Sequence, residues 1–207
     1  MIYNKNNLVI SDIASKTEIR PEITGILFKK DRTVATDSYA LIEVKNPKNF
    51  IDVKNIPILP AKQKPLTNFS KKGYILPAKS VKKMLSNLTD NNELPELDNT
   101  CWFLNTNDPA VSSVVSTDLE QNNTTTTKNL EGNYPDYDKI IPKKEGKSIE
   151  VSLDILKNMI NTLAKMSIKY PSSLKITVYD NQTPVKITTK TDKEQDITAL
   201  IMPITQE

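Results

Sequence analysis

Histidine does not occur in this 207-residue chain, Cys101 is the single cysteine, and glycine stands only at positions 25, 73, 132 and 146. The commonest general base near neutral pH is therefore missing. Zinc sites and Cys-His nucleophile pairs are excluded by the same count. No phosphate-cradling glycine loop can be drawn through four such scattered glycines. Carboxylate or lysine catalysis stays open in principle, yet no spacing points to it. The expectation is a non-enzyme without a metal or cofactor.

Two kinds of residue remain that do chemistry by binding. Lys79, Lys82 and Lys83 in AKSVKKMLSNL and Lys165 in LDILKNMINTLAKM fall away from the apolar stripes of two helical patterns, with Lys157 at the border of the second stripe. Ammonium groups on a rigid wall attract phosphate without reading bases; the ordinary alternative is a solvated helix face. Net charge is only +3, so attraction to nucleic acid must come from such local segregation. The second kind is apolar: in VATDSYALIEV, Tyr39 and Leu41 follow directly on a polar turn, Thr36-Asp37-Ser38. Tyr3, Trp102 and Phe103 offer stacking faces for single strands, but strand packing is the reading we favour for Trp102 and Phe103, with Cys101 buried and inert beside them.

The elements that must position these residues follow from periodicity. NLVI (7–10) reads as a strand, and Ser11 as the cap of a short helix to Lys16 that Arg20-Pro21 stops. ITGILF (23–28), RTVAT (32–36) and LIEV (41–44) read as an antiparallel meander. Residues 46–72 carry Pro47, Pro57, Pro60 and Pro65 and read as a connecting crossover with edge-strand pieces. GYILP (73–77) is a strand. In the helix after it, residues 78–88, Val81, Met84, Leu85 and Leu88 share one stripe. NTCWFLNT (99–106) and AVSSVVST (110–117) are strands, and QNNTTTTK (121–128) can hold a strand edge. SIEVS (148–152) reads as a strand and 153–166 as a helix with Leu153, Leu156, Ile160 and Leu163 inward. Residues 174–180, 184–190 and 197–204 are further strands.

The sequence predicts an α+β chain in which one unit, a strand, a helix and a meander, recurs three times. A lone cysteine excludes an internal disulfide and suits a reducing compartment. No run of eighteen apolar residues and no signal peptide is visible. A soluble cytoplasmic protein without membrane contact is expected.

RPEITGILF followed by VATDSYAL, then YILPAKSVKKML, EGNYPDYDKIIPK and LIMPI, in that order, resemble the bacterial sliding clamp, the β subunit of DNA polymerase III. The resemblance implies the DNA clamp fold, with outer antiparallel sheets and inner helices around duplex DNA. Residues 1–140 would form a complete clamp-like domain from two half-units, 1–45 and 73–140, joined by 46–72. Residues 147–207 would be a third half-unit, like the C-terminal half of a clamp domain. It also implies a groove that receives short peptides from DNA polymerase, clamp-loader and repair proteins. By matching motifs, its walls here are Ile23, Thr36, Ser38, Tyr39, Ala40, Leu41, Pro135, Lys139, Ile140, Leu200, Met202 and Ile204. Where that family usually has Gly and then a basic residue in the turn, this chain has Ser38 and Ala40, so a different peptide preference is expected.

Clamp rings hold twelve half-units, against the three read here, so ring closure is not implied. Two functions follow: a sliding clamp or processivity factor bound non-specifically to duplex DNA, or a clamp-derived interaction protein that binds such peptides, or a clamp, without encircling DNA. An isolated half-unit leaves an open sheet flank, so a homo-oligomer is expected, with four chains supplying twelve half-units.

Overall fold

The computed structural model describes all residues except 47–69, 71, 90–93, 105–107, 109, 145, 169–172 and 205–207. The crossover and edge pieces expected within 46–72 therefore lie almost wholly outside the described residues. The chain divides into two compact units, Met1–Tyr137 and Asp138–Glu207.

In the first unit, β1 (Ile2–Asn4) leads into a short helix, α1 (Lys5–Val9), which tightens into a 3-10 turn at Ile10–Asp12. The strand expected at 7–10 is thus helical, and the strand stands at 2–4. A reciprocal pair decides it. The Asn7 N–H donates to Asn4 Oδ1 at 3.3 Å, and the Asn4 N–H to Asn7 Oδ1 at 3.1 Å. Such a capping box satisfies two amides that a helix start otherwise leaves orphaned. Ser11 lies inside the 3-10 turn rather than capping it, and helix does not reach Lys16. Asn7 is buried, and its Nδ2 donates to Thr33 Oγ1 at 3.1 Å and Asn46 Oδ1 at 2.9 Å.

The meander is β2 (Gly25–Lys29), β3 (Arg32–Thr36) and β4 (Leu41–Lys45). A second strand-helix-meander follows: β5 (Tyr74–Pro77), α2 (Ala78–Ser86), β6 (Asn99–Leu104), β7 (Val111–Thr117) and β8 (Asn122–Lys128). The threonine tract is a full edge strand, its β-branched side chains suited to the pleat.

The leading strands are exchanged. β1 joins the second meander, giving β1-β6-β7-β8, and β5 joins the first, giving β4-β3-β2-β5; all these pairings are antiparallel. In each case the last strand residue before the helix faces the first residue of the other half's meander: Asn4 opposite Asn99, Pro77 opposite Gly25. That approach is close, because a Cβ on Gly25 would lie 2.5 Å from the Leu76 carbonyl oxygen.

One core joins both sheets and both helices, built on Tyr3, Leu8, Ile26, Phe28, Leu76, Val81, Met84, Trp102 and Val114. Tyr3, Phe28 and Trp102 meet edge to face at centroid distances of 4.6–5.4 Å. That geometry favours aromatic quadrupoles and adds to area burial. Phe103 and Cys101 pack with Val115. Strand packing, rather than base stacking, accounts for Tyr3, Trp102 and Phe103.

The second unit contains α3 (Leu153–Ala164), β9 (Lys175–Thr177), β10 (Val185–Lys190) and β11 (Asp196–Ile201), in the antiparallel order β11-β10-β9. Residues 148–152, expected as a strand, pair into no sheet among the described residues; the Ile204 N–H donates to the Glu150 carbonyl at 2.8 Å. Ser152 instead caps α3. The inward face of α3 is Leu156, Met159 and Leu163, over Val185, Ile187 and Ile201. Leu153 and Ile160, expected inward, are exposed, Leu153 at 76%. The stripe read from the sequence lay about an eighth of a turn off, because Met159 shares the buried side while Leu153 and Ile160 lie outside it.

Candidate docking turn and lysine faces

The turn between β3 and β4 is held by its own side chains. Asp37 Oδ1 accepts from the Tyr39 N–H at 2.9 Å and the Ala40 N–H at 2.7 Å. Thr36 Oγ1 donates to the Ala40 carbonyl at 2.7 Å and accepts from the Ser38 N–H at 3.1 Å. These bonds hold Ser38 at φ +82°, a left-handed conformation that favours glycine. They also lower the Asp37 pKa, through the amides of Ala40 and then Tyr39, because donors favour the carboxylate. Tyr39 is left 98% exposed at the tip.

The expected wall residues fall into two classes in the first unit. Ser38, Tyr39 and Ala40 are exposed, and Leu41 and Pro135 half-buried. Ile23 and Thr36 are buried, so neither presents its side chain as a wall: Ile23 lies in the protein interior, and Thr36 braces the turn from behind. Beneath the turn, Tyr134 and Tyr137 from the segment after β8 pack with Leu27, Val34, Ile75 and Leu41 on the sheet face opposite the helices. The Tyr134 hydroxyl donates to the Val34 carbonyl at 3.2 Å, and burial raises its pKa. Lys29 Nζ donates to the Tyr137 hydroxyl at 3.4 Å. The NYPDY stretch is therefore an anchor under the turn more than a wall.

In the second unit, Lys139 and Ile140 are exposed, Ile140 at 69%. Leu200, Met202 and Ile204 are exposed too, on alternate positions at and beyond the end of β11, while Ile201 points into the core. Alternation along an extended chain is the reason.

A signal the sequence reading missed strengthens the turn. Thr117-Asp118-Leu119-Glu120-Gln121, between β7 and β8, repeats the same bonds: Thr117 Oγ1 to the Gln121 carbonyl at 3.0 Å, and Asp118 Oδ1 from the amides of Glu120 and Gln121. Leu119 has φ +78°. A third Thr-Asp turn starts at Thr191, whose Oγ1 accepts from the Gln195 N–H at 3.1 Å. The sequence prints these as TDSYA, TDLEQ and TDKEQ. At the fourth place two copies carry glutamate and the first carries Tyr39. The shared Thr and Asp build the turn, and the remaining places vary, with Tyr39 the aromatic among them.

On α2, Val81 and Met84 are buried, while Lys79, Lys82 and Lys83 are exposed. Lys82 Nζ lies 2.7 Å from Asp12 Oδ1, an ion pair that offsets one of these cations. Lys157 and Lys165 on α3 are exposed. No three His, Cys, Asp or Glu side chains cluster as a metal site among the described residues. No helix among them is long and apolar enough to cross a membrane.

No family model and no curated protein matches this chain. Solved structures do. The chain superposes over 99% of its length on DNA polymerase III β chain from Streptococcus pneumoniae, with TM-score 0.64 and 21% identity. Over 100% it superposes on the sliding clamp of Pseudomonas aeruginosa, with TM-score 0.68 and 15% identity. A structure of the clamp from P. aeruginosa bound to griselimycin matches over the same share, with TM-score 0.67 and 15% identity. The chain covers 49%, 52% and 50% of those three chains, about half their length. It has the DNA clamp fold.

Proposed function

We propose that this chain is a non-enzymatic DNA sliding clamp or clamp-like processivity factor, which keeps DNA polymerase and clamp-loader-type proteins on duplex DNA. The likeness of the whole of this chain to about half of a sliding-clamp chain carries the proposal. Residues 1–140 act as a clamp domain of two half-units, and 147–207 as a third. Partners dock by short apolar peptides on Ser38, Tyr39, Ala40, Leu41 and Pro135 and on Lys139, Ile140, Leu200, Met202 and Ile204. The exposure of Tyr39 supports this, since a large apolar ring left in water is what an incoming leucine or phenylalanine uses. Met202 suits several peptides, because an unbranched thioether repacks readily. Lys79, Lys82, Lys83, Lys157 and Lys165 supply diffuse attraction to phosphate.

The Lys82–Asp12 pair favours a second reading, a clamp-derived interaction protein that binds such peptides, or a clamp, without encircling DNA. Retention on circular duplex, followed by release on linearisation, decides between them. The processivity reading requires both, and binding to linear duplex that weakens steeply with salt. A Tyr39→Ala variant is expected to bind a clamp-binding peptide at least tenfold more weakly, for about 1.5–3 kcal/mol of lost apolar burial. Unchanged binding removes the turn from the docking surface.

A further inference from the structure

The first unit shows what a half-unit of this fold requires. The leading strand β5 has two neighbours: on one side the first meander strand of the other half, on the other side a residue just after its own last meander strand; β1 likewise pairs with the first meander strand of the other half. For β5 these are β2 and Leu130, whose N–H donates to the Ile75 carbonyl at 2.8 Å.

The second unit reproduces one of these two relations. Counted back from the helix start, Ser152, Val151, Glu150 and Ile149 correspond to Pro77, Leu76, Ile75 and Tyr74. Glu150 accepts from the Ile204 N–H at 2.8 Å, as Ile75 accepts from Leu130. Alternation then turns the backbone groups of Ile149 and Val151 to the opposite side. No strand stands there among the described residues. Across the sheet, β9 is an edge with no strand beyond it among the described residues, and its Ile176 is 60% exposed. In the first unit the corresponding residues, Ile26 and Thr100, are fully covered by the exchanged strands. Leu153 and Ile160, exposed on α3, correspond to Ala78 and Leu85, which pack on the shared core. An open depression of about 590 Å³ lies between Lys147-Ser148 and Val178–Gln182.

We infer that a second copy of this chain fills this face, the two 138–207 units exchanging residues 149–152 as strands beside each other's β9. The register of the first unit carries over without adjustment. Ser152 falls opposite the partner copy's first β9 residue, as Pro77 does opposite Gly25. Val151 then meets Ile176, and Ile149 meets Val178. Parity agrees independently: Ile176 pairs with Ile187 across β10, whose side chain is in the core, and Ile149 and Val151 pack on that same core. On the other sheet face Glu150 falls opposite Thr177 and diagonal to Lys175, next to Lys186, the Thr177 partner on β10. Opposite charges at such positions attract. The arrangement is two-fold and self-complementary, so every contact is made twice.

Light scattering on the full chain tests this. The particle is expected to contain an even number of chains, and Ile176→Lys to halve its mass. That variant places a charge on a side chain already exposed, so the unit itself stays folded. A mixture of Glu150→Cys and Thr177→Cys chains is expected to form a covalent dimer on oxidation, while neither alone does; Cys101 is buried and does not compete. A wild-type particle at single-chain mass, an unchanged mass for Ile176→Lys, or an unlinked mixture overturns the inference.

Discussion

α2 and α3 follow the same kind of extended segment, begin at the same place in their half-units and lie on a meander, yet their surroundings differ. α2 buries Val81 and Met84 and rests Ala78 and Leu85 on the core shared by two sheets, with Leu88 just after it packed there too. α3 fully buries Leu163 alone and leaves Leu153, Ile155 and Ile160 exposed. The sheets differ alike: β2 and β6 each have strands on both sides, β9 on one. Part of a half-unit's apolar surface is therefore covered only by its complement, and apolar surface left in water forgoes about 25 cal/mol per Å².

The comparison breaks most sharply at Trp102, Phe28 and Val178, which occupy the same place in the three meanders. Trp102→Ala should cost about 3–5 kcal/mol in urea unfolding, as for other buried aromatics. Val178→Ala, at a half-exposed site, should cost under about 1 kcal/mol when the protein is dilute. Next comes Asn7, which closes the helix start and bonds Thr33 and Asn46. Asn7→Ala should cost about 1–3 kcal/mol by leaving buried polar partners unmet, while an alanine at exposed Asn161 on α3 should change stability little.

The acid limb is a smaller effect. The Asp37 and Asp118 pKa values are lowered by turn amides, and that of Asp180 first by the Thr183 hydroxyl. A depressed carboxylate contributes stability above its unfolded pKa of about 3.9, lost as pH falls through the folded value. Replacing Asp37 and Asp118 by Asn keeps an acceptor but removes the titration. The fall in stability between pH 5 and pH 3 should then be shallower, as read by urea midpoints. Smallest of all, Ser38→Gly should raise stability by about 0.5–1 kcal/mol, since glycine takes positive φ without a Cβ clash and loses part of the gain to entropy. A thermal melt reads it directly.

The sequence by itself determined the meanders, because period-two patterns such as RTVAT and VKITTK fix strand and face together. It determined α2 and its lysine side, because an apolar stripe at i, i+3, i+4 and i+7 leaves the rest outward. It held the turn signature as well, in three Thr-Asp stretches legible once set side by side. Tertiary structure decided the rest. The 7–10 run became helix because Asn4 and Asn7 close a capping box, a bond between side chains that apolar periodicity does not show. Residues 148–152 join no sheet among the described residues, and the Glu150 carbonyl bonds instead to Ile204, more than fifty residues away, which no local pattern shows. Ile23 and Thr36 turned inward because packing around them, not their residue type, set their exposure. A strand exchanged between halves is stabilised by residues far away in the chain, and no local pattern records who stands on the other side.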